Sequence, residues 1–480
     1  MLAGLMAGAA MPAFADGPLA SLRPQVRPTS IGPGSGNAIV ARAQLSGTTA
    51  YVAMRKDGSV LDARLADVPL PPASVAKALT ALYAVEHLGA DYRFATVLLG
   101  TGPIEGGVLQ GDLILKGTGD PILDTDALGG LAAQLAAAGV TGITGRFLVD
   151  GRSLPELIQI DPEQLPQSAY NPSISGLNLN YNRVYFEWRR REGGYRLSMD
   201  ARARKFQPRV SHTTMEIAPE AWPIYTHDLP ESGEAWTVAR RALGEGGARW
   251  LPVRRPPGYA GDVFRTLAKN AGVTLPPVEL ETEPQRGAVL ATHVSPHVRG
   301  LCGGMLKYST NLTAEVLGLR ASQARGRAPE TLEGSAALMN AWLSERFGEE
   351  IALVDHSGLG SASRVTCRAL ARVLTQTEAL APMLKSIPVR DEKGAAVESA
   401  GHQIHAKTGT LHFVSALAGY ATPKSGEPLI FAIISSDLDR RAAVPEVDKE
   451  RPPGAKAYAR RARLMQQALV KRWVDMVAKA

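Results

Sequence analysis

The sequence predicts an α/β (α+β) chain in which one antiparallel sheet is assembled from both ends of the polypeptide. Three observations predict it. Two alternating, strand-like stretches lie early, at 49–55 and 59–64; three more lie late, at 403–410, 412–421 and 427–436; and stretches of helical spacing fall between them. The length of 480 residues agrees, since a prior of about 150 residues per domain gives roughly two to four domains with ample core. Hydrophobic residues at 45% and charged residues at 21% are ordinary globular values, which excludes a disordered chain. Two cysteines, Cys302 and Cys367, cannot build a four-cysteine zinc cluster. The net charge of +7 is modest and spread along the chain, so it suits an anionic envelope or membrane surface, and no nucleic-acid partner is expected.

Residues 1–15, MLAGLMAGAAMPAFA, form an apolar run ending in Ala13-Phe14-Ala15 and read as the core and cleavage site of a secretory signal that lacks its usual basic start. No later stretch reaches the ~18 apolar residues of a membrane span, so an exported, soluble, periplasmic location is expected. Export would permit a Cys302–Cys367 disulfide, and two buried free thiols are the equal alternative. Residues 17–37, rich in Pro and Gly, read as an extended arm. Lys56-Asp57-Gly58 is a hairpin turn between the first two strands. After Pro71-Pro72, residues 74–88 are rich in Ala and Leu without internal Gly or Pro and end at Gly89, which predicts a helix.

Between residues 99 and 290 the texture changes to short strand-like runs broken by Gly and Pro, with one clear helix at 128–138. This region reads as an insertion of one or two small mixed domains between two halves of a main domain, 16–98 and 291–480. Helical spacing returns at 297–306, 312–323 and 331–347. Residues 458–478 form a basic amphipathic helix with Tyr458, Met465, Leu469, Trp473 and Val477 on one face. Two readings stand for it: peripheral attachment to an anionic membrane or cell wall, or a terminal helix lying on the sheet.

Three short words carry the chemistry. Ser74-Val-Ala-Lys77 opens the first helix, and a spacing of three sets hydroxyl and amine on one helix face, where a lysine kept neutral part of the time can activate the serine. Each part also has a plain reading as an N-cap and a solvated lysine. Ser309-Thr-Asn311 lies between two helices and offers a hydroxyl for proton relay and an amide that both donates and accepts. Lys407-Thr408-Gly409-Thr410 falls on an edge strand, where Lys407 presents a cation to a carboxylate, Gly409 leaves room for substrate backbone and Thr410 offers a backbone N–H to an oxyanion. His402 with His405, and His293 with His297, make unconvincing metal pairs, and no metal site is expected. There is no Gly-x-Ser-x-Gly elbow, phosphate loop or His-Glu-x-x-His.

The three words occur together once in the order found in β-lactamases and penicillin-binding proteins. With Leu88-Gly-Ala-Asp-Tyr-Arg-Phe94, Tyr170-Asn-Pro172, Asn178-Leu-Asn-Tyr-Asn182, Asn311-Leu-Thr-Ala-Glu315 and Asp355-His-Ser-Gly-Leu359, the chain resembles the class C low-molecular-mass penicillin-binding proteins, the D-alanyl-D-alanine carboxypeptidase/endopeptidase family. The long separation of Lys77 from Ser309 matches the insertion carried by that family.

The resemblance implies a three-layer α/β/α β-lactamase/transpeptidase-like domain with a five-stranded antiparallel sheet. It implies that Ser74 is acylated, Lys77 takes its proton, Ser309 relays a proton to the departing D-alanine and Asn311 holds the substrate amide. Lys407, with Thr408 and Thr410, would bind the terminal carboxylate, and the N–H groups of Ser74 and Thr410 would form the oxyanion hole. Peptidoglycan stem peptides and β-lactams are the implied partners, with no cofactor. An acidic residue before the Asn-Pro word, Asp161 or Glu163, would meet a diaminopimelate amine; both also read as solvated loop carboxylates. Three departures stand out: His356 replaces a usual Gly, Gly360-Ser-Ala replaces a polar stretch, and 387–394 lacks a usual Gly-rich word. A β-lactamase or esterase of the same fold, and an idle peptidoglycan-binding module, are the competing readings.

Overall fold

The structure, a computed structural model, describes residues 35–283, 286–390, 395–397, 401–424 and 426–478; the expected signal segment and most of the expected arm lie outside them. The first hairpin forms as its turn chemistry predicts. Asp57 accepts the Ser59 N–H at 2.8 Å and Gly58 takes a left-handed φ of 83°, joining β1 (Thr48–Met54) to β2 (Val60–Arg64). Near the other end of the chain, β3 (Lys385–Ser386), β4 (His402–Leu411), β5 (Val414–Pro423) and β6 (Leu429–Ser436) follow. The order across the sheet is β3-β4-β5-β6-β1-β2, and every neighbouring pair is antiparallel. The sheet thus has six strands where five were expected. The extra strand is two residues long, too short to show any alternation in sequence.

Period-two alternation buries both faces of this sheet. On one face Tyr51, Ala53, Phe431 and Ile433 meet Met465, Leu469 and Trp473 of the terminal helix, Ala455–Val477. On the other, Ala50, Val52, Ile430, Ala432 and Ile434 join the core of α1 (Ala76–Leu88), α2 (Val298–Tyr308), α3 (Asn311–Ala324), α4 (Leu332–Phe347) and α5 (Cys367–Thr375). This is the three-layer α/β/α arrangement. The apolar face of the terminal helix lies against the sheet. Cys302 and Cys367 are buried free thiols.

Residues 95–294 fold around a core of their own, centred on a five-stranded sheet with smaller three-stranded sheets beside it. The chain leaves and returns through paired neighbours, Ala95–Gly100 and Ala288–Val294, so the two ends of this region are adjacent. A helix the sequence reading missed, Pro256–Asn270, opens with Pro-Pro-Gly. Proline is tolerated in the first turn, so the punctuation that reads as a loop is in fact a helix start. At the opposite end of the chain, residues 36–43, expected in the extended arm or just after it, form a helix capped by the Ser35 side chain.

Trp473 is 1% exposed, tilts against the Tyr51 ring at 5.4 Å and donates to Asp62 Oδ2 at 2.9 Å. Trp473→Ala is expected to cost about 3–5 kcal/mol, the usual loss for a buried aromatic truncated in a core, measured as a lower denaturant midpoint with unchanged slope.

Candidate active site

The turn before α1 is shaped by backbone constraints. Pro71-Pro72 leads into Ala73, which sits at a left-handed φ of 48°, and a single 3-10 turn, Ala73–Val75, then runs into the helix. Such a conformation costs a non-glycine residue roughly 1–3 kcal/mol and persists only where the surroundings impose it. Here two glycines make room for it. A Cβ on Gly358 would lie 2.0 Å from the Ala73 carbonyl oxygen, and one on Gly409 would lie 2.8 Å from the Pro72 carbonyl oxygen. Gly409 therefore admits the turn that carries Ser74, rather than substrate backbone as the sequence reading had it.

One turn further on, Lys77 is fully buried and its ammonium is held by three acceptors: Ser74 Oγ at 2.9 Å, Asn311 Oδ1 at 2.7 Å and the Ser357 carbonyl at 2.7 Å. These account for all three ammonium hydrogens. Burial pushes the Lys77 pKa down, and the nearby carboxylates Glu315 and Asp355 push back. Both carboxyls are buried, and each is pushed up by that burial. Glu315 accepts the His356 and Ser357 N–H groups, each at 2.9 Å, and Asp355 accepts those of Gly358 at 2.5 Å and Gly360 at 2.6 Å. The two carboxylates thereby fold the 355–360 loop, which supplies one acceptor to Lys77.

Ser309 ends α2 in a left-handed conformation, φ 60°, and its hydroxyl accepts from Lys407 Nζ at 2.9 Å. Lys407 also donates to the Thr408 carbonyl at 2.6 Å. It is buried, and that burial, reinforced by the charges of Lys77 and Lys385, pushes its pKa down to about 7. Asn311, the first residue of α3, donates its Nδ2 to the Tyr170 carbonyl at 2.7 Å, so the inserted region touches the cluster around Lys77. Thr408 is exposed on the sheet edge, and Thr410 lines the cleft.

That cleft has a volume of about 880 Å³, and Ser74, Ser309, Asn311 and Thr410 lie in its wall. The structure separates the two acidic candidates. Asp161 is buried and accepts from the Glu163 N–H and the Gln164 side chain, which folds its own loop, whereas Glu163 is exposed and lines the cleft. Sequence reading missed three contributors. Tyr170 acts through a backbone carbonyl, which leaves no mark in a side-chain pattern, although its Tyr-Asn-Pro word had been noticed. Arg364 lines the cleft from a loop and Arg441 from the five-residue helix Leu438–Ala442, both too short or irregular to show a period in sequence, and Arg441 donates to the His412 carbonyl at 3.1 Å.

His356, the departure noted in the loop, faces away from the cleft. It is fully buried, and its Nε2 lies 2.8 Å from Ser335 Oγ. Burial pushes its pKa down to about 3, so the ring is neutral. A Cβ on Gly318 of α3 would lie 2.1 Å from the ring, so the missing side chain on the helix makes room for the added one on the loop.

Residues 37–450 match the family described as D-Ala-D-Ala carboxypeptidase 3 (S13). This chain belongs to that family. The S13 member described here is a serine-type D-alanyl-D-alanine carboxypeptidase, a peptidase of the penicillin-binding protein class. It is similar to a D-alanyl-D-alanine carboxypeptidase of Actinomadura sp., 28% identical over 419 residues, covering 79% of this chain and 76% of the relative. It is also similar to D-alanyl-D-alanine carboxypeptidase DacB of Haemophilus influenzae, 25% identical over 385 residues, covering 75% and 79%. The crystal structure of penicillin binding protein 4 (dacB) from Haemophilus influenzae superimposes with a TM-score of 0.68 at 21% identity, covering 92% of this chain and 98% of that one, and confirms the fold. That protein has also been solved with a β-lactam.

Glu315→Gln keeps the size of the side chain but replaces one acceptor with a donor facing a backbone N–H. A hydrogen bond to a charged group is worth about 1.5–3 kcal/mol, so kcat/KM for D-alanine release is expected to fall roughly tenfold or more. Because the Glu315 charge raises the Lys77 pKa, its removal moves the acid limb of the pH profile to lower pH, which a purely structural loss would not do.

Proposed function

We propose that this S13 member hydrolyses the terminal D-alanyl-D-alanine bond of peptidoglycan stem peptides, and splits D,D-crosslinks between them, through an acyl-enzyme on Ser74. The observation that carries the reading is the contact of Lys77 Nζ with Ser74 Oγ at 2.9 Å, in a cleft shared with Ser309 and Asn311. In its neutral form Lys77 takes the Ser74 proton as Oγ attacks the carbonyl carbon of the penultimate D-alanine. The oxyanion forms against the N–H groups of Ser74 and Thr410. As the C–N bond breaks, Ser309 passes a proton from Lys77 to the departing amine, leaving an ester on Ser74. Water then adds to the ester, and Ser74 recovers its proton as the acid leaves.

Asn311 holds the amide on the acyl side, Lys407 with Thr408 and Thr410 grips the terminal carboxylate, and Glu163 pairs with the amine of a diamino acid side chain. A β-lactam enters the same path, but its amide opens without releasing a leaving group, so the ester on Ser74 persists. Export to the periplasm fits this substrate, and among the described residues no helix is long and apolar enough to cross a membrane. Any peripheral hold on a membrane or wall would come from the charged side of the terminal helix, since its apolar side packs on the sheet. The two segments flanking residues 95–294 act as one catalytic domain and the insertion as an accessory lobe.

Incubation with a fluorescent penicillin is expected to give one covalent adduct per chain, absent in Ser74→Ala. No adduct on folded protein would overturn the reading, and rapid release of hydrolysed penicillin would favour a β-lactamase. The pH dependence has a definite sign. The acid limb of kcat/KM rises as Lys77 loses its proton, and the alkaline limb falls as free Lys407 loses its own. Bound substrate carboxylate stabilises the Lys407 ammonium, so the alkaline limb of kcat is expected at higher pH than that of kcat/KM.

A further inference from the structure

A second cavity, of about 620 Å³, lies between α2 and the segment around β3. Among the described residues its ionisable lining residues are His297, Arg299, Lys307 and Lys385, with no carboxylate. Arg299, Lys307 and Lys385 are exposed, and among the described residues none of the three forms an ion pair. Gly300 and Gly303 line the groove on the α2 side, and a Cβ on Gly303 would meet nothing within 4 Å, so this wall is open.

The groove adjoins the candidate active site through Lys307 and Lys385. Lys307 is two residues before Ser309, Lys385 pairs with Ala406 beside Lys407, and the charge of Lys385 is felt at Lys407. The outer edge of β4 is occupied by β3 only opposite His405 and Ala406; from Lys407 to Leu411 no described strand covers it. A peptide laid antiparallel along that edge would run from Leu411 toward Lys407, place its terminal carboxylate there and end against Lys385. A free D-alanine ends at that point. When the leaving amine instead belongs to a diamino acid in a second stem, the chain must continue. The β3 strand blocks the straight path, and the space beside it is the cationic groove. The second stem carries several carboxylates and matches that charge.

We propose that this groove is the subsite for the leaving half of a crosslinked stem-peptide dimer, whose carboxylates face Arg299, Lys307 and Lys385. The inference rests on the D,D-peptidase reading above and adds to it the residues that distinguish crosslink splitting from release of single D-alanine. The test compares the full chain with the double variant Arg299→Glu/Lys307→Glu on two purified substrates: a muropeptide monomer ending in D-Ala-D-Ala and a D,D-crosslinked dimer. Products are separated by chromatography, and penicillin labelling reports the folded fraction.

Charge reversal is expected to lower kcat/KM for dimer splitting about tenfold or more, while monomer D-alanine release stays within about twofold. Added salt is expected to slow dimer splitting by the parent chain more than monomer release. Equal effects on both substrates, or none on either, overturn the inference. A parent chain that releases D-alanine and takes up penicillin but splits no dimer also overturns it and leaves the carboxypeptidase reading standing. Absence of every reaction defeats both. If the double reversal lowers penicillin labelling, Arg299→Gln/Lys307→Gln supplies the same comparison without repulsion.

Discussion

The structure depends on how one buried ammonium is held. Lys77 reaches Ser74 only because Asn311 and the Ser357 carbonyl take its other two hydrogens, and these three partners come from stretches far apart in the chain. An unpaired ammonium in this position would carry a large desolvation penalty. Three acceptors hold the charge in place, and burial keeps deprotonation within reach. The carboxyls of Glu315 and Asp355 sit behind this arrangement, fold the loop that bears Ser357 and add negative charge nearby. The same groups that position Lys77 therefore also set how readily it gives up its proton.

The inserted region is part of this cleft. The Tyr170 carbonyl engages Asn311, and Glu163 lines the wall beyond it. Across from them, the segment after β6 contributes Arg441, and further along it Glu450 accepts from Gln167 at 3.0 Å and pairs with Arg249 at 3.3 Å. The inserted region and the C-terminal segment thus touch each other directly, and both supply residues to the cleft wall.

Much of this was legible in the sequence. Ser74, Lys77, Ser309, Asn311 and Lys407 stand in short words on the elements those words require, and the helices and long strands followed from period and turn chemistry. What was not legible has physical causes. The two-residue β3 is defined by its partner strand and has no pattern of its own. Helix α5 is nine residues long, shorter than the usual helix of about 10–14 residues, so a reading by length passes over it. The Pro256–Asn270 helix hides behind a proline start. Gly409 looks like a substrate-clearance glycine from its position on an edge strand, and only the fold reveals that the Pro72–Ala73 turn fills the space. His356 stands out in sequence only as a replaced Gly, because the glycine that receives its ring lies on α3, far from it in the chain.

The left-handed Ala73, wedged between Gly358 and Gly409, carries a consequence for the life of the chain before it is fully folded. The flanking glycines arrive from segments hundreds of residues downstream, so a nascent polypeptide has only an ordinary alcohol at position 74. The turn that presents Ser74 beside a buried Lys77 exists only once the tertiary structure is complete.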